Sequence, residues 1–268
     1  MATTFGTCYS GIGGADIGLL ATGWQLRFQA EADPFRREIL ARRFSVPLEC
    51  DVALTRPSEP YDALYAELPD SRIEKWWAPL NALVRDTPPT RWLIVELSPT
   101  VRCERVIRDV LALGEQWAFR LIHLDVTIQL SNTQIEDWDV KKRALILASP
   151  DAAAIDAIGL AAMSAEIVVT GVSTLHQRLS LAWHEVSRGL RAGWTCVCGS
   201  PESCACAFEQ RLSAVQDATS PFMTQWLGEI LNGTWRDGVA RKLTAADGSP
   251  LGGALDPCMA AHETVPHG

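Results

Sequence analysis

Short apolar runs recur along the first 150 residues, each closed by glycine, proline or an acid and followed by a stretch of helical spacing. Residues 3–9 are β-prone and end at Ser10-Gly11-Ile12-Gly13-Gly14. From Ala15 to Thr22 the apolar positions Ile17, Leu20 and Ala21 fall at helical intervals. A second strand is predicted over Gln25–Glu31, and Pro34 then stands where proline opens a helix, with Phe35, Ile39, Leu40 and Phe44 on its buried side. Ala63–Ala66, Trp92–Val95, Arg120–Val126 and Ala144–Ala148 complete the set of predicted strands. Strands alternating with helices predict an α/β fold: a mostly parallel sheet covered on both faces.

After Pro150 the texture changes. Residues 151–165 are alanine-rich and helix-prone, 176–190 repeat a helical pattern, and 193–206 form a loop rich in cysteine. The expected organisation is a core over 1–160, a small irregular lobe over 161–240, and a segment 241–268 returning to the core.

Composition narrows the function classes. An apolar fraction of 47% against 21% charged residues is the balance of a globular chain. No apolar run approaches the length of a bilayer span, so no membrane partner is expected. Met1–Phe5 lacks a basic leader region. The expectation is therefore a cytoplasmic protein whose eight cysteines are thiols or metal ligands. A net charge of −8 opposes approach to a polyanion; it argues against strong nonspecific DNA binding and leaves weak or specific binding through a local basic patch open.

Candidate chemistry begins at the first turn. In open parallel sheets ligands bind beyond the carboxyl ends of the strands. Glycines at 11, 13 and 14 let the backbone approach a ligand, and a helix N-terminus follows. Glu31 lies 20 residues after Gly11, where an acid holds ribose hydroxyls. Asp51, read as closing a third strand, is suited to accept from an adenine amino group. Together they point to an adenosine-containing ligand. A nicotinamide dinucleotide would need a third glycine where Asp16 stands. A tight turn with ordinary surface acids, or an unrelated nucleotide-dependent Rossmann enzyme, is the competing reading.

Tyr9-Ser10-Gly11-Ile12-Gly13-Gly14 resembles the opening motif of the DNA cytosine-C5 methyltransferases. Gly23-Trp24 with Glu31-Ala32-Asp33-Pro34-Phe35 is similar to that family's second segment. Phe222–Gly233 and Leu251-Gly252-Gly253-Ala254-Leu255-Asp256-Pro257 resemble its closing segments. The resemblance implies a Rossmann-like class I S-adenosylmethionine-dependent methyltransferase fold with a small second lobe for target recognition. It also implies S-adenosylmethionine as cofactor, held by Tyr9, Ser10, Gly11, Ile12, Gly13, Gly14, Glu31, Ala32, Asp51 and Val52. Tyr9 would lie on or near the adenine.

Family chemistry needs a thiolate that adds to cytosine C6, and a glutamate that contacts the base. Where the resemblance places that cysteine, the chain reads Glu67-Leu68-Pro69-Asp70-Ser71, so Asp70 occupies the nucleophile position. A carboxylate is a weak carbon nucleophile and a good leaving group, so a stable adduct is not expected. Glu96 survives at the glutamate position, in Glu96-Leu97-Ser98, as a catalytic residue or as an acid that caps a turn or pairs with Arg102. A basic motif aligns with Asp139-Val140-Lys141-Lys142-Arg143. Cys8, Cys50 and Cys103 read as small buried residues. The leading expectation is a homologue that binds the cofactor without ordinary C5 transfer and serves as a cofactor-, DNA- or partner-binding protein. An active enzyme with altered chemistry is the alternative.

Cys196, Cys198, Cys204 and Cys206 crowd four thiols into one loop. Such a group suits a tetrahedral zinc ion, with free thiols or disulfides as the other readings. Arg178, Arg188 and Arg191 could meet phosphates, though a solvated helix face explains them as well.

Overall fold

In the computed structural model the described residues are 2–68, 73–98, 104–114, 117–132, 135–158, 164–172, 185, 188, 190, 193–197 and 208–234. The strands are β1 (Thr4–Cys8), β2 (Gln25–Ala30), β3 (Leu48–Glu49), β4 (Ala63–Glu67), β5 (Trp92–Leu97), β6 (Ala118–Asn132), β7 (Ile135–Ser149) and β8 (Ser164–Val172). The helices are α1 (Gly14–Ala21), α2 (Pro34–Arg43), α3 (Ile73–Asp86), α4 (Glu104–Leu111), α5 (Ala152–Ala157), α6 (Phe208–Asp217) and α7 (Pro221–Leu231).

These strands form an eight-stranded sheet in the order β3-β2-β1-β4-β5-β7-β6-β8. The pairings β1–β2, β1–β4, β2–β3, β4–β5 and β6–β8 are parallel, while β7 runs antiparallel to both neighbours. Chain order reverses at β1, which opens a crevice above the carboxyl ends of β1, β2 and β4.

Both faces of the sheet are covered, which is why the central strands are apolar at successive positions rather than alternating. Phe5, Tyr65, Ile94, Leu145 and Leu147 pack on one face with Leu19 of α1 and Phe222, Met223, Trp226 and Leu227 of α7. Cys8, Leu64, Leu93, Val95 and Ile146 pack on the other with Trp77, Leu80 and Val84 of α3 and Val106 and Val110 of α4. The α1–α7 contact is close: a Cβ on Gly18 would stand 2.1 Å from the Pro221 carbonyl oxygen, and one on Gly14 2.0 Å from that of Thr219. Side chains there would push the two helices apart.

Several boundaries differ from the sequence reading. Among the described residues of the predicted helix over 151–165, Ala152–Ala157 is helical and Ser164 already begins β8. Strands β6 and β7 are 15 residues each, far longer than the apolar runs that announced them. A two-residue connection lets them zip from Ala118↔Ser149 to Asn132↔Ile135, and antiparallel pairing carries polar positions that the apolar pattern does not mark. The third strand ends at Glu49, so Asp51 does not close it. Instead Asp51 caps a 3₁₀ turn, Val52–Leu54, by accepting from the Ala53 N–H at 2.9 Å. Phe35 and Phe44 are only partly buried beside the fully buried Ile39 and Leu40. No described helix is long and apolar enough to cross a membrane.

Segment 193–197 docks against the first turn. Trp194 Nε1 donates to the Ile12 carbonyl at 2.7 Å, and Arg43 lies over the Trp194 ring at 5.1 Å while donating to the Gly193 and Trp194 carbonyls.

Candidate cofactor and substrate cavity

The turn after β1 is held from below by a buried polar network. Thr7 and Ser10 hydroxyl oxygens lie 2.8 Å apart, and Asp16 meets Thr7 Oγ1 at 2.9 Å and Gln29 Nε2 at 2.8 Å. Asp16, the residue at the missing third glycine, is therefore a buried anchor of the turn. Gly11 and Gly13 have φ of +57° and +85°, and a Cβ on Gly13 would enter the Phe44 ring. Tyr9 also has a positive φ, +55°, a strained conformation held by its hydroxyl donating to the Trp76 carbonyl at 2.6 Å.

Glu31 follows β2 and is buried. Its Oε2 accepts from the Gly11 N–H at 2.8 Å and its Oε1 from the Asp33 N–H at 2.9 Å. Asp33 in turn caps α2 through the Arg36 N–H, and Pro34 opens that helix as predicted. Burial pushes the Glu31 carboxyl above its ordinary value, against the two N–H donors.

A cavity of about 600 Å³ lies above these elements. Of the predicted cofactor residues, Tyr9, Glu31 and Ala32 line it. Ser10, Gly11, Ile12, Gly13 and Gly14 are buried and do not line it. Asp51 is exposed and does not line the cavity; burial first, then the charges of Cys8, Asp51 and Glu31, push the Tyr9 phenol up. Val52 is a core residue on the α3 face rather than part of the wall. Tyr9 meets the Trp76 ring edge-on, with centroids 5.3 Å apart.

The far wall carries Glu67, Leu68, Glu96, Leu97, Ser98 and Arg143. Glu96, at the end of β5, is buried and clamped: Arg143 Nε donates to Oε1 at 2.6 Å, while Tyr65 Oη and Thr219 Oγ1 lie 2.5 Å from Oε2. The partner of Glu96 is thus Arg143 of β7; Arg102 lies outside the described residues. Burial, then the neighbouring Glu96 carboxylate, push the Tyr65 phenol up. Sequence reasoning quoted Glu67 and Arg143 without giving them these roles. Thr219 it missed altogether, since nothing local marks a lone threonine before a helix.

Asp70 lies outside the described residues, as do the closing segment 251–257, Arg178, Arg191, Cys103, Cys198, Cys204 and Cys206. Cys196 is a buried thiol, and no group of three or more His, Cys, Asp and Glu among the described residues could hold a metal ion. Cys8 is buried as expected, and burial raises its thiol strongly. Cys50, expected to be buried, is exposed just before the Asp51 cap.

No family model and no curated protein matches the sequence. Solved structures do. The chain is similar to the Entamoeba histolytica methyltransferase EhMeth at 9% identity and TM-score 0.58, over 87% of this chain and 98% of that one. It is also similar to the Dnmt2 methyltransferase of S. pombe, at 8% identity and TM-score 0.57, over 87% and 99%. A triple mutant of DNMT2 from Spodoptera frugiperda matches at 9% and 0.56, over 86% and 100%. The fold is the Rossmann-like fold of class I S-adenosylmethionine-dependent methyltransferases.

Proposed function

We propose that this chain is a divergent homologue of the DNA cytosine-C5 methyltransferases that binds S-adenosylmethionine without ordinary C5 transfer, serving as a cofactor-, DNA- or partner-binding protein. The observation that carries this reading is Glu31, fixed between the Gly11 and Asp33 amides on the wall of the 600 Å³ cavity. Each of its oxygens takes one backbone donor and keeps a lone pair for a ribose hydroxyl. Tyr9 and Trp76 supply aromatic surface in the same cavity for an adenine. S-adenosylmethionine, when bound, supplies an electrophilic methyl group. The DNMT2 neighbours share the fold, which supports the same class of cofactor here.

The nicotinamide reading fares worse. Five carboxylates line the cavity, Glu31, Asp33, Glu67, Glu96 and Asp217, against the guanidiniums of Arg36 and Arg143. Such a wall disfavours a pyrophosphate.

Calorimetry with S-adenosylmethionine and S-adenosylhomocysteine tests the cofactor. Glu31→Ala should weaken binding by about 1.5–3 kcal/mol, the worth of a charge-assisted hydrogen bond. An unchanged affinity would remove Glu31 from the site.

The chemistry has its own test. With Asp70 at the nucleophile position, DNA containing 5-fluorocytosine should yield no covalent complex on a denaturing gel, because the trap needs a nucleophile that stays attached at C6. The surviving Glu96–Arg143 pair favours a second reading, an active transferase with altered chemistry. Label passing from methyl-labelled cofactor to DNA would establish that reading in place of the first.

A further inference from the structure

Glycines make the turn after β1 permissive, so its shape depends on contacts that hold it from outside. Gly11 and Gly13, both at positive φ, flank Ile12. The Gly11 N–H is held by Glu31, and the Gly13 N–H donates to the Ser10 carbonyl at 2.9 Å. Ile12 is held by a distant part of the chain. Its carbonyl accepts from Trp194 Nε1 at 2.7 Å, and its fully buried side chain packs in one cluster with Leu190, Trp194, Val197 and, from α6, Leu212 and Val215. Trp194 is fixed in its turn. Its ring meets Phe44 edge-on with centroids 6.1 Å apart, and a Cβ on Gly13 would enter that same Phe44 ring. Arg43 donates to the Gly193 and Trp194 carbonyls, while the buried Glu185 accepts from the Gly193 and Thr195 amides on either side. One indole N–H therefore joins a multiply bonded segment to a turn built from glycine.

We propose that Trp194 is a positioning residue for the ligand: by fixing the Ile12 carbonyl it keeps the glycine turn in its binding shape, and it links occupancy of the cavity to the packing of segment 193–197. The proposal rests on the reading that S-adenosylmethionine binds at this turn and at Glu31. Trp194 does not line the cavity and acts through Ile12. Without the indole donor the buried Ile12 carbonyl loses its partner, which favours other shapes of the turn in which it finds one. A binding shape populated about one fifth of the time weakens the apparent affinity about fivefold. The coupling is reciprocal, so a ligand that holds the turn also holds segment 193–197.

The test combines calorimetry with S-adenosylmethionine and amide hydrogen exchange, on the wild-type protein and on Trp194→Phe, which keeps a ring against Phe44 and removes the donor. Trp194→Phe should bind S-adenosylmethionine about fivefold more weakly. Exchange at Gly11, Ile12, Gly13 and Gly14 should quicken, while exchange in β4 and β5 stays as in the wild type. In the wild-type protein S-adenosylmethionine should slow exchange of the Gly193 and Thr195 amides, and in Trp194→Phe it should not. An unchanged affinity, or a loss accompanied by faster exchange throughout β4 and β5, overturns the positioning role while the cofactor reading stands. So does a wild-type protein whose Gly193 and Thr195 amides gain no protection from the ligand. Arg43→Met, which releases the Gly193 and Trp194 carbonyls and spares the indole, repeats the measurement should Trp194→Phe fail to fold, with the same local pattern expected. Failure of the wild-type protein to bind S-adenosylmethionine overturns both readings.

Discussion

Asp16→Asn should leave stability nearly unchanged at pH 4 and raise it at pH 8, by up to about 4 kcal/mol. Asp16 is fully buried, and burial lifts its carboxyl from 3.8 to about 7 against the lowering effect of the Gln29 and Thr7 hydrogen bonds. In the unfolded chain the acid ionises near its ordinary value. Between about pH 4 and pH 7 the unfolded state therefore releases a proton that the folded state keeps. The stability contributed by this group is full below pH 4, declines as pH rises through 7, and is then constant. Asparagine mimics the protonated acid. Its amide nitrogen can donate to Thr7 Oγ1 while its oxygen accepts from Gln29 Nε2, so the network under the glycine turn is preserved. Urea titrations at several pH values check this. A variant that keeps the wild-type pH slope would show that Asp16 is not the titrating group.

Glu185→Ala should cost roughly 3–5 kcal/mol, the range for breaking a buried ion pair from one side. Glu185 and Arg211 are both buried, with Arg211 Nη2 3.3 Å from Glu185 Oε1. The same carboxylate accepts from the Gly193 N–H at 2.5 Å, the Thr195 N–H at 2.9 Å and the Thr195 hydroxyl at 2.5 Å. Alanine strands the guanidinium and two backbone donors together. Because Trp194, between those donors, hydrogen-bonds Ile12, the loss should also loosen the cofactor turn and weaken S-adenosylmethionine binding. The double variant Glu185→Ala with Arg211→Met should recover part of the stability, since no buried charge is then left unpaired. A single-variant cost below about 1 kcal/mol would mean that water reaches the pair and screens it.

The amino-acid sequence by itself determined the elements whose signals are local. Glycines in the turn after β1, proline at the start of α2 and apolar runs for β4 and β5 each act within a few residues, and each is where it was expected. Glu31 was legible for the same reason, because one strand and one turn fix its place relative to Gly11. Local signals failed where pairing decides structure. The polar halves of β6 and β7 pair with each other in register, and β8, whose Ile167-Val168-Val169 run the sequence reading passed over, pairs with β6. Segment 193–197 and α7 fall within 161–240, read as a small second lobe, and their packing on the first turn and on α1 is a matter of tertiary contact. The far wall of the cavity was decided by tertiary structure alone. Glu96 meets Arg143 across 47 residues, and Thr219 meets Glu67 across 152. No periodicity or turn chemistry encodes such a meeting; it exists because β7 inserts beside β5 and because Gly14 and Gly18 let α7 approach α1 closely enough to bring Thr219 to the cavity.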